Sequence, residues 1–252
     1  MFNRRDLIYI YDGSFDGLLT AIFDSFKNHE LPLAITNDSN IQEDLFCEYK
    51  CIKTDTAKAK RVSKSISEKV SHEALTDIYY TYLSDTKNKG RICLEYVHTA
   101  FRFGKNVKSH MTIECVFSVI SSIKRVKNEA HQFIEFIRFE ELDGGVFYSK
   151  ISPRCDILEI VSKHFQKRFP SMPWLIHDLT HNKCAVYNGN TFYITPVSSA
   201  PKLSRTDDEL KFRKYWKRFY DTIEIKERHN ERCRSSHMPK RFWGNMTEFN
   251  EL

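Results

Sequence analysis

The spacing of apolar residues changes once along this chain, at Phe133, and that change most constrains the fold. Before it, apolar positions recur at helical spacing, which predicts helices over about 14–27, 56–70, 72–84, 91–103 and 112–131. From Phe133 the stretch FIEFIRFEELDGGVFYSKI alternates apolar and polar residues around Asp143-Gly144-Gly145, the pattern of a β-hairpin. Helical spacing returns over 155–168. Strands are expected at 174–178, 183–187 and 191–195, the last two joined by Asn188-Gly189-Asn190. This ββαβββ order predicts a small antiparallel sheet with a helix on one face. At the amino end a strand over Leu7–Tyr11 leads into the first helix, and a short segment follows at about 45–53. The expected fold is α+β: an N-terminal strand–helix unit, a helical middle, a small antiparallel sheet and a basic helical C-terminus. The regions 1–132 and 133–252 are expected to form one compact protein.

Hydrophobic residues at 41% and aromatics at 13% exclude a disordered chain. No apolar run approaches the roughly 18 residues of a membrane span, and MFNRRD leads straight into a strand. The expectation is a cytoplasmic protein that meets no membrane, with its seven cysteines as mostly buried thiols. Net charge is +6, and its location is informative. Residues 202–241 hold thirteen Lys and Arg against seven acids, so the rest of the chain is close to neutral. Here Pro196–Pro201 reads as a linker, and Asp207 as the N-cap of a long helix reaching about Arg234. Phe212, Trp216, Phe219, Tyr220 and Ile223 form a stripe expected to dock, leaving Lys211, Lys214 and Arg218 in water. Pro239 begins a shorter terminal helix.

Four stretches carry groups suited to chemistry. In YDGSFDGLL, Asp12 and Ser14 suit the first free N–H groups of a helix, Asp16 suits its positive end, and Gly13 and Gly17 permit a tight turn. Capping explains all of these residues, while a carboxylate site for a metal or for general-base work stays open. In HDLTHNKC, the residues His177, His181 and Cys184 are zinc-ligand types at uneven spacing, and Cys47 and Cys51 lack a second pair, so no metal is expected. In HFQKRFP, His164 and Arg168 lie four apart late in a helix, able to cradle an anion or simply to favour the helix's negative end. IKERHNERCRSSHMPKRFWGNM interleaves arginines with His229, Asn230, Phe242 and Trp243, suiting phosphates and bases or else a solvated charged helix.

YDGSFDGLL after a strand, EAHQFIEFIRF, HFQKRFPSMPWLIHD and WKRFYDTIEIKERHN…MPKRFW occur in this order. Together they resemble the DUF4130 family of DNA metabolism proteins, from Tyr11 to about Trp243. The resemblance implies pairing with a radical SAM protein of DNA modification or repair. Some relatives are joined to a uracil-DNA glycosylase-like domain. The family pattern falls on Asp12, Gly13, Ser14, Phe15, Asp16 and Gly17, and on His164, Arg168 and Asp178. It also falls on Trp216, Arg228, Asn230, Met238, Pro239, Arg241 and Trp243. Two positions depart. His181 follows Asp178 where relatives carry D-x-x-R, and ERCRSSH replaces a stretch in which relatives show glutamine. This chain lacks a CxxxCxxC motif, so no cofactor is assigned to it.

The leading expectation is a DNA-binding accessory factor of DNA repair or modification, acting with the radical SAM partner. DNA would meet Arg168, Lys211, Lys214, Arg218, Arg228, Asn230, Arg241 and Trp243. One alternative is a glycosylase-like or hydrolytic enzyme with Asp12 or Asp16 as base and His164 as acid. Another is a protein-binding adaptor that touches no DNA.

Overall fold

The computed structural model describes residues 7–37, 47–197, 205–247 and 249, with Lys226 by its backbone alone. The linker read at 198–201, Lys202 and the opening MFNRRD lie outside the described residues. The fold is α+β, and the chain divides into two compact units, Met1–Lys127 and Asn128–Leu252.

In the first unit, β1 (Leu7–Ile10), β2 (Ala34–Thr36) and β3 (Glu48–Cys51) form a parallel sheet in the order β2-β1-β3. Parallel neighbours need a crossover, and α1 (Phe15–Asn28) supplies it between β1 and β2. Ser14 caps α1 by accepting from the Gly17 N–H, and the helix stops where His29 turns left-handed at φ 55°. α2 (Thr56–Lys69), α3 (His72–Leu83), α4 (Lys89–Phe103) and α5 (Glu114–Phe136) follow, and the division between the units falls within α5. Leu18, Ile22, Ile66, Ile78, Leu94 and Val116 are buried in one apolar core. α4 meets β2 so closely that a Cβ on Gly90 would stand 2.3 Å from the Ile35 carbonyl oxygen.

The second unit holds a five-stranded sheet in the order β4-β5-β6-β7-β8. Its strands are β4 (Glu140–Leu142), β5 (Val146–Ile151), β6 (Trp174–Asp178), β7 (Lys183–Tyr187) and β8 (Phe192–Pro196), with α6 (Leu158–Arg168) between β5 and β6. The ββαβββ order is present, but the sheet is mixed rather than antiparallel. β5 and β6 run parallel because α6 returns the chain to the starting edge before β6 begins. Two further readings are corrected. Residues 133–136 belong to α5, whose buried Val126, Ala130 and Phe133 keep helical spacing into its last turn. Pro196 closes β8, an edge strand, where its missing N–H leaves no ladder bond unmade.

The long basic helix is shorter than its sequence suggested. α7 spans Asp207–Ile223 and is capped by Thr206, whose Oγ1 accepts from the Glu209 N–H, rather than by Asp207. It stops before Glu224, where the β-branched Thr222, Ile223 and Ile225 cluster. A 3-10 turn (Lys226–Arg228), α8 (Glu231–His237) and a 3-10 segment (Lys240–Asn245) follow α7. The expected docking stripe is also corrected. Glu209, Arg213, Trp216 and Tyr220 form the half-buried face of α7, and Arg213 reaches Glu140 at 2.6 Å and Glu209 at 2.9 Å. Phe212, Phe219 and Ile223 instead face outward at 62%, 53% and 57% exposure, with Tyr215 at 70%.

Candidate nucleic-acid interface

The opening loop joins β1 to α1 and is tied through Asp12 to Thr54, just past β3. Asp12 Oδ1 accepts from the Ser14 N–H at 3.0 Å and from its hydroxyl at 2.6 Å, while Oδ2 accepts from Thr54 Oγ1 at 2.8 Å. The Ser14 hydroxyl, above all, holds the Asp12 carboxyl below the ordinary carboxylate range. A low pKa with both oxygens engaged makes a weak base. Gly13 has φ +82° and its carbonyl accepts from the Tyr82 hydroxyl at 2.7 Å. A Cβ on Gly17 would stand 2.2 Å from Asp12 Oδ1. Asp16 is exposed in the first turn of α1. Asp12 and Asp16 belong to the first unit and His164 to the second.

In the second unit, His164 and Arg168 share the wall of a cavity of about 540 Å³. Phe139, Phe147, Phe165, Phe169 and Trp174 give it an aromatic lining, and Arg138 stands at its wall with them. Burial, then the nearby charges of Arg168 and Lys167, lowers the His164 pKa, so its imidazole is neutral at neutral pH. The buried Trp174 Nε1 finds no hydrogen-bond partner among the described residues. The sequence drew attention only to His164 and Arg168 here. The aromatic positions looked like ordinary core, and only the meeting of α5, β5, α6 and β6 makes them one wall.

Asp178 is fully buried at the end of β6. Its Oδ1 accepts from the Thr180 and His181 N–H groups, and its Oδ2 meets His181 Nδ1 at 2.7 Å. That contact raises the His181 pKa. Asp156 completes a cluster with metal-ligand chemistry, but the Lys183 ammonium already pairs with Asp156. His177 contacts the Tyr148 hydroxyl through Nδ1 at 3.2 Å, so the two histidines of HDLTHNKC turn to different partners.

The basic end sorts its residues into two groups. Arg241 holds Glu129 at 3.0 Å and Gln132 at 2.7 Å, and Phe242 beside it is buried against Phe133 and Phe136. Trp243 donates to the Met238 carbonyl at 3.0 Å and stacks on Phe249 at 4.4 Å, with the Arg234 guanidinium 4.9 Å from its ring centre. The Pro239 carbonyl accepts from the Phe242 N–H. Asn230 caps α8 by accepting from the Cys233 N–H, and Lys211 pairs with Asp208 at 2.9 Å. These groups hold the C-terminal segment together. Lys214, Arg218, Arg228 and Arg232 form the second group, exposed and without an ion pair among the described residues. Lys214 and Arg218 lie one turn apart on α7, beside the outward aromatic row.

The family model for DUF4130, a domain of unknown function, matches residues 87–248. The chain belongs to that family. The DUF4130 match takes in the described second unit as far as Thr247, with its cavity and α7, and leaves the Asp12–Gly17 loop outside. No curated protein matches the chain. No helix among the described residues is long and apolar enough to cross a membrane.

Proposed function

We propose that this DUF4130 protein is a DNA-binding accessory factor in DNA repair or modification, acting with a radical SAM partner. The observation that carries the DNA reading is the outer surface of α7. Phe212, Tyr215 and Phe219 form an exposed row, and Lys214 and Arg218 stand beside it with no ion pair among the described residues. Aromatic faces stack on bases of any sequence, and a neighbouring basic row neutralises the phosphates between them. The choice of DNA and of the radical SAM partner rests on the family resemblance.

Fluorescence titration with short single- and double-stranded DNA at several salt concentrations tests the reading. The logarithm of affinity should fall with the logarithm of salt, by about 0.7 per neutralised phosphate on a single strand and about 0.9 on a duplex. Reversing both Lys214 and Arg218 to Glu should lower that slope by about two. Binding absent at low salt, or a slope that ignores these changes, defeats the DNA reading. It would leave the adaptor reading, which the outward Ile223 and Ile225 favour because they extend the apolar row beyond the cations. Co-purification with a radical SAM protein, with and without nuclease, tests the partnership and whether nucleic acid bridges it.

A further inference from the structure

The surface of α7 is ordered around the helix axis as well as along it. At about 100° per residue, three strips succeed one another around the helix. The half-buried strip holds Trp216 and Tyr220, with Arg213 held by Glu140 and Glu209. Next comes the exposed row of Phe212, Tyr215 and Phe219, and beyond it Lys214 and Arg218. The cations therefore flank the rings on one side only. Asp208, the acid at the amino end of this surface, is already paired with Lys211 at 2.9 Å. Asp221 lies beyond Lys214, away from the rings, and neither Lys214 nor Arg218 forms an ion pair among the described residues. Along the axis, a rise of about 1.5 Å per residue sets Tyr215 about 4.5 Å from Phe212 and Phe219 about 6 Å further on.

We infer that this surface takes single-stranded rather than duplex DNA, with bases on the ring row and phosphates along Lys214 and Arg218. The inference rests on the DNA reading above and names the form of DNA that it concerns. In a duplex each base face is covered by the next pair of the stack, and only base edges are open in the grooves. Three rings at 62%, 70% and 53% exposure find no face to stack on there. An unpaired strand presents its base faces, and it does so whatever its sequence. The spacing of the rings agrees. Bases in a B-form strand follow one another at about 3.4 Å, so rings about 4.5–6 Å apart suit a strand drawn out beyond that stack. Pairing forbids such stretching, and a single strand permits it. The one-sided charge points the same way. A duplex groove is bordered by two phosphate backbones, whereas a single strand carries its bases on one edge and one backbone on the other. Rings followed by cations, in one order across the helix, match the single strand.

Anisotropy titration of the full chain with a labelled oligothymidylate, which cannot pair with itself, tests the inference. Unlabelled single strands and duplexes of the same length then compete. The single strand should compete about tenfold better than the duplex at equal nucleotide concentration, the effect expected of one stacked base. Tyr215→Leu keeps an apolar side chain and removes the ring. It should cost about tenfold in single-strand affinity while leaving the salt slope and the duplex affinity in place. Tyr215→Phe should bind as the parent does. Position 215 is exposed, so both variants should fold, and circular dichroism reports whether they do. Duplex binding as tight as single-strand binding overturns the inference and leaves the DNA reading intact. Single-strand affinity that ignores Tyr215→Leu overturns it as well, since phosphate contacts alone would then carry the binding. Absence of binding to either form defeats the DNA reading itself, and this inference with it.

Discussion

The Asp12–Gly17 loop and the outward face of α7 are both rich in polar groups at a helix, and they differ in what those groups already touch. In the loop, both Asp12 oxygens, the Ser14 hydroxyl and the Gly13 carbonyl are engaged within the chain. On α7, Lys214 and Arg218 reach no acid among the described residues, and three aromatic rings stand in water. Residue type alone would rank the loop first, since two acids, a serine and two glycines look like machinery. Availability reverses the ranking. A group that already has its partners maintains the fold, and a group without them is left for a ligand.

The sharpest way to break this contrast is Gly17→Ala. The new Cβ would displace Asp12 and undo its bond to Ser14, so unfolding should become easier by about 1–3 kcal/mol, read by chemical denaturation. DNA affinity should stay where it was. A loss of DNA binding with unchanged stability would move the loop from scaffold to site. Phe219→Ala tests the other side. Stacking on a base predicts a binding loss of about 1–3 kcal/mol, with stability within about 0.5 kcal/mol of the parent. If stability falls and binding does not, the outward row packs against protein.

Ser14→Ala asks for a smaller effect, about 0.5–2 kcal/mol of stability through the lost cap of α1. Thermal unfolding measures it, and an unchanged midpoint would mean that the cap contributes nothing. The finest test concerns pH. Asp178 raises the His181 pKa in the folded state, so this pair stabilises fully below the ordinary histidine value near 6.5. That contribution should fade as pH rises through the raised value. His181→Gln should therefore flatten the decline in stability above about pH 6.5, measured by denaturant titration. An identical decline in the variant would assign it to other groups.

Much of the fold was legible because its signals are local. Ser14 announced α1, Asp143-Gly144-Gly145 announced the β4–β5 turn, and the strands at 174–178 and 183–187 fall where alternation placed them. The direction of β5 against β6 was hidden, since alternation has the same period in parallel and antiparallel pairs. α7 exposes a second limit. The spacing of Phe212, Phe219 and Ile223 identifies a face, but only the partner surface decides whether that face is covered. Glu140 and Glu209 anchor the opposite side through Arg213, an arrangement that an apolar pattern cannot reveal. The cavity was the least legible feature, because its walls come from segments separated by up to about forty residues of ordinary-looking core.

The parallel junction between β5 and β6 also has a consequence in time. β4–β5 is a hairpin and β6–β7–β8 a meander, so each can assemble from neighbouring residues. Joining them requires closure across α6, and loop-closure entropy places that pairing after the local ones. Phe139 and Phe147 lie on the first half and Trp174 on the second. The aromatic cavity therefore comes into being only when the halves meet, as the last event of the second unit's assembly. In stopped-flow refolding, the fluorescence change that accompanies burial of Trp174 should lag behind the appearance of secondary structure, and a change completed in the earliest phase would mean that the cavity forms from one half alone.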